Sequence, residues 1–70
     1  MNMETLINQL VARRNERRQW ANTLIRMINS YNTDIKNEKI ASQNYRYELY
    51  AVHSELMFLE GLMEKLGVRL

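Results

Sequence analysis

Seventy residues with no cysteine and a single histidine leave little room for site chemistry. Disulfides and thiolate metal sites are excluded, and a single histidine argues against a zinc site made of protein ligands alone, although Asp and Glu could still hold a hard cation. The net charge of +2 is too small for a dedicated nucleic-acid binder and has the wrong sign for an acidic mimic of DNA.

A chain this short buries only about 60% of its unfolded surface. Small scaffolds are usually completed by a disulfide, a metal or a partner subunit. Here the partner subunit is the remaining choice. No apolar run approaches the roughly 18 residues of a membrane span. The N-terminal stretch MNMETLINQLVARRNERR lacks the apolar core and cleavage site of an export signal. A cytoplasmic location with no membrane partner is therefore expected.

Helix dominates the reading. There is no proline, and the two glycines, Gly61 and Gly67, cannot supply the turns that strands need. A first helix is expected over about residues 3–30. Asn2 is placed to cap it, with Glu4 in the first turn where the helix dipole favours negative charge. Met3, Ile7, Leu10, Ala21, Leu24, Ile28 and Tyr31 recur in steps of four and three, and Arg14 and Arg17 occupy the same stripe.

Ser30-Tyr31-Asn32-Thr33-Asp34 is the richest cluster of turn and cap residues, so the turn is expected at about 31–34. A turn centred near Thr33 sets Ile7 opposite Leu59, Leu10 opposite Leu56 and Ala21 opposite Tyr45. A turn near Asn37 would instead set Leu24 opposite Leu49 and Ala21 opposite Val52. The capping residues favour the first. One unbroken helix is the rival, disfavoured by the polar stretch from Asn29 to Asn44.

The second helix is expected over about 35–66, with its stripe at Tyr45, Leu49, Val52, Leu56, Leu59, Met63, Leu66 and Leu70. Gly67 reads as a left-handed stop with Val68 folding back on Met63, leaving a short tail at 67–70. Gly61 falls on the outer face, where it suggests close approach of a neighbour. The fold class is thus all-α: a two-helix antiparallel hairpin over residues 1–70. Two hairpins dimerising into a four-helix bundle would use the apolar surplus that one seam leaves over. Leu56, Met57, Phe58, Leu59, Leu62 and Met63 are the candidate oligomer interface.

Few residues suggest chemistry. The run Arg13-Arg14-Asn15-Glu16-Arg17-Arg18 holds the excess positive charge, since the second half of the chain sums to zero. Arg13, Arg14, Arg17 and Arg18, with Trp20, Tyr47 and Tyr50, form the candidate surface for a protein partner or for phosphates and bases. The structural alternative is that Arg14 and Arg17 bridge the seam to Glu48 and Glu55. Tyr45 belongs to the core by spacing. His53 has no catalytic partner in phase with it. Glu60 and Glu64 could form only one edge of a carboxylate site. No catalytic residue, metal or cofactor is expected.

A cysteine-free 70-residue chain, hairpin patterning from Met3 to Leu66, and an arginine cluster beside Trp20 resemble the small helical accessory proteins of temperate bacteriophages. The resemblance covers nearly the whole chain and lies in organisation, not in a motif. It implies a non-enzymatic modulator of host or phage proteins. The leading expectation is a homo-oligomeric, dimeric protein-interaction module with an unknown protein partner. The second is a nucleic-acid-binding helical dimer that uses the arginine cluster.

Overall fold

In the computed structural model, which describes residues 2–69, the chain is an all-α hairpin of two long helices, α1 (Met3–Ser30) and α2 (Lys36–Lys65). The last expected stripe position, Leu70, lies outside the described residues. The start of α1 and the end of α2 have local causes, whereas α2 begins after Ile35 with no side-chain cap. Asn2 is extended, and its side-chain oxygen accepts from the Thr5 amide at 2.8 Å. At the far end Gly67 adopts a positive φ of 74°, which an L side chain rarely takes. Its amide donates to the Glu64 carbonyl at 3.0 Å, and the Val68 amide donates to the Met63 carbonyl at 2.9 Å. That pair of bonds is the Schellman stop, and it leaves Val68 half-buried.

The seam is apolar and narrow. Ala21, Leu24 and Ile28 of α1 are buried together with Val52, Leu56, Leu59 and Met63 of α2. Leu24, Leu56 and Met63 are almost fully buried, and each such side chain stabilises by about 1.5–3 kcal/mol. Trp20, Tyr45 and Leu49 close over the edge of this core.

The turn sits at residues 31–35, where the capping residues placed it, but the helices pair in the other register. Contacts across the seam include Arg13 with Glu55, Arg14 with Glu60 and Tyr31 with Tyr45. They centre on an alignment that sets Ala21 opposite Val52 and Leu24 opposite Leu49. The expected pairing of Ala21 with Tyr45 and Ile7 with Leu59 is therefore corrected. The loop explains the shift. Tyr31 (φ −81°, ψ 140°) and Ile35 (φ −96°, ψ 122°) are both extended, so the chain keeps rising past the end of α1 before α2 begins. The first turns of α2 thus overhang α1 and cover the loop.

Two features of the overhang follow. Ser42 is buried, and its hydroxyl finds no hydrogen-bond partner among the described residues. Tyr45 is only half-buried, not core, and stacks on Tyr31 with ring centroids 6.0 Å apart. Desolvation, then the charge and hydrogen bonding of Tyr45 and the charge of Glu38, push the Tyr31 phenol above its ordinary value.

Candidate functional site

The arginine cluster is occupied from within the chain. Arg13 Nε donates to Glu55 Oε1 at 2.9 Å. Arg18 Nη2 donates to Glu60 Oε1, and Arg14 Nε lies 3.5 Å from the same oxygen. Arg17 Nη2 donates to Glu16 Oε1 of its own helix at 2.8 Å. Trp20 Nε1 donates to Glu48 Oε1 at 3.2 Å. Glu48 and Glu55 are seven residues apart and share one flank of α2, whereas Glu60 lies on the other. The two helices are therefore clasped on both sides of the apolar seam.

This corrects the expected partners. Glu48 and Glu55 meet Trp20 and Arg13, not Arg14 and Arg17. Glu60 was a candidate edge of a carboxylate site and instead receives two guanidinium groups. Among the described residues no group of three or more His, Cys, Asp and Glu could hold a metal ion.

Arg14 and Arg17 are seam residues, each with its side chain about one-fifth exposed. The Nε atoms of both are buried and make no hydrogen bond. For Arg14 this is consistent with the 3.5 Å approach to Glu60, which is an ion pair without hydrogen-bond geometry. Their aliphatic stems lie along the seam while their charged ends reach its edge.

Of the six expected interface residues, Leu56, Leu59 and Met63 are consumed by the hairpin's own core. They lie on the α1-facing side, so they are corrected from oligomer interface to internal packing. Leu62 is half-buried, while Met57 and Phe58 are exposed. Tyr47 and Tyr50 are exposed as expected from their spacing. His53 is exposed as well.

Ile25, an apolar residue that flanks the seam by spacing, is exposed. Sequence reasoning passed over two further residues: Ile40 is exposed, and Arg46 stands at the rim of a shallow groove between the helices. The groove has a volume of about 340 Å³. Its apolar wall includes Ile25, Leu49 and Leu56, and Arg18, Arg46 and His53 give it a basic edge. The outward phase of Ile40 and Tyr47, seven apart, was visible in the spacing. The groove was not, because it depends on the register.

No helix among the described residues is long and apolar enough to cross a membrane. No protein-family model, curated protein or solved structure matches the chain.

Proposed function

We propose that this chain is a non-enzymatic protein-interaction module, a small cytoplasmic regulator that works as a homo-oligomer. One observation carries the reading. Each arginine of the basic cluster has a glutamate within ion-pair distance, while Tyr47, Tyr50, Met57 and Phe58 are left facing water. Charge committed within the chain is poorly available to phosphates. Apolar area of this size on a small helical chain is typical of a contact surface. The organisation shared with phage accessory proteins is compatible with a modulator of other proteins.

The nucleic-acid reading is weaker on the same ground. Glu16, Glu55 and Glu60 offset most of the four arginines, so two copies would present only a small net positive patch.

Sedimentation equilibrium across micromolar to millimolar protein tests self-association. A mass that rises to a multiple of 8.4 kDa is expected. A single-chain mass throughout would overturn the oligomeric reading. Binding to single-stranded and duplex DNA and RNA at low salt is the second arm. Tight binding that weakens steeply as salt rises would instead favour the nucleic-acid alternative.

A further inference from the structure

We infer that the outer face of α2 is where two copies of this chain dock, α2 against α2 in antiparallel order, with each α1 on the outside. The inference rests on the self-association proposed above and adds the face and the orientation.

Opposite its buried stripe, α2 carries a second one. Ile40, Asn44, Tyr47, Ala51, Ser54 and Phe58 recur in steps of four and three, and none is charged. All six are exposed, Tyr47 and Phe58 by 77% and 69%. This is a seam that no described residue of the chain covers. The outer face of α1 differs: Asn8, Asn15, Gln19 and Arg26 suit water.

The area agrees with one missing neighbour of similar size. A compact protein of 8.4 kDa exposes roughly 4,600 Å². The hairpin exposes 5414 Å². The excess is about the 800 Å² that each partner gives to a standard interface.

The order of residues names the occupant, because the stripe is complementary to itself when reversed. A two-fold axis crossing between Ala51 and Ser54 places Ala51 on Ser54 of the second copy. Tyr47 then meets Phe58, and Asn44 meets Gly61. Small residues at the centre let the helices approach, and an aromatic pair closes each side. The Ser54 hydroxyl already donates to the Tyr50 carbonyl at 3.1 Å, so it enters a dry seam satisfied. A Cβ at Gly61 would meet nothing within 4 Å, so the hairpin itself gives this helical glycine no packing role.

The flanks favour antiparallel over parallel. Reversal lays Tyr50 beside Met57 of the second copy, an aromatic–thioether contact between two exposed side chains. It sends Lys65 to opposite ends of the dimer, over Ile40. Parallel packing would put Lys65 on Lys65 in the seam. On the other flank Glu48 comes near Glu55 of the second copy, where the Arg13 that already holds each Glu55 offsets the repulsion.

Two measurements on the full chain test this. Phe58→Glu, and independently Tyr47→Glu, should weaken dimerisation by about 30-fold or more by sedimentation while leaving the helical circular dichroism intact. Asn15→Glu, on the outer face of α1, should leave the dimer unchanged. With no native cysteine, Lys65→Cys takes a single spin label per chain. At 1.5 Å per residue the two labels should lie roughly 35–40 Å apart in the antiparallel dimer and under about 20 Å in a parallel one. A dimer that survives both glutamate substitutions overturns the docking face while self-association stands. A short label distance overturns the antiparallel order. A wild-type chain that never associates overturns both this inference and the oligomeric reading.

Discussion

Toward the turn, the α1 side of the seam is Ala21, Leu24 and Ile28, and all three are buried. Toward the open end it is Leu10, Arg14 and Arg17, and none is fully buried. The rhythm of four and three is the same in both halves. Across from the arginines, α2 still offers Leu56, Leu59 and Met63, which are buried. One half closes apolar against apolar. The other closes by laying arginine stems over leucines and fastening the charged ends to glutamates. Periodicity alone therefore sets which residues face inward but not how strongly they hold.

The largest test of that contrast is truncation in each half. Leu24→Ala removes a side chain that is fully buried, and a loss of about 2–5 kcal/mol is expected. For a hairpin whose whole stability is about 5 kcal/mol or little more, that approaches global unfolding. Leu10→Ala in the open half should cost clearly less, because Leu10 is already partly exposed. Urea denaturation followed by circular dichroism measures both, with wild-type protein at matched concentration so that self-association cancels. Equal losses would show that the two halves are held alike.

The contrast also shows what the sequence could and could not disclose. Asn2, Gly67 and Val68 act through neighbours within a few residues, so their roles were legible. So was the inward phase of Leu24, Val52 and Leu56, because helical spacing decides it. Register was not legible. Sliding one heptad stripe along another by seven residues carries every seam position onto another seam position. Only the extended backbone at Tyr31 and Ile35, which lifts α2 beyond the end of α1, breaks that degeneracy. The partners of Glu60 depend on register and were missed with it. The contiguous run Leu56-Met57-Phe58-Leu59 concealed a division of labour for a simpler reason. Consecutive helical residues point about 100° apart, so its two ends face α1 while its middle faces away.

A middle-sized effect is expected at Glu60, which receives both Arg14 and Arg18. Glu60→Gln keeps the size and removes the charge. The Glu60 side chain is about one-quarter exposed, so the loss should stand near the upper end for such pairs, about 1 kcal/mol. Added salt should shrink the difference between variant and wild type. A double-mutant cycle with Arg18→Gln separates that pair from the Arg14 contribution. A coupling indistinguishable from zero would mean that the clasp on this flank is ornamental to stability.

The smallest change in magnitude, and the most informative in sign, is expected for Arg17→Met. Arg17 sits on the seam with its Nε buried and unpartnered, while its ion pair is with Glu16, which is largely exposed on the same helix. The attraction in that pair is therefore screened, and the burial of the guanidinium nitrogen is uncompensated. Methionine keeps an unbranched apolar stem against the leucines of α2 and removes the polar atom. Exchanges of this type are often neutral or slightly stabilising when the replacement packs well. The expected outcome is an unchanged or raised thermal midpoint. If the arginine acts to exclude wrong registers, the signature will be elsewhere. The variant should show a broader thermal transition or a second population of label distances at intact stability. A clear loss of stability would instead mean that Arg17 contributes an attraction across the seam larger than its pairing with Glu16 implies.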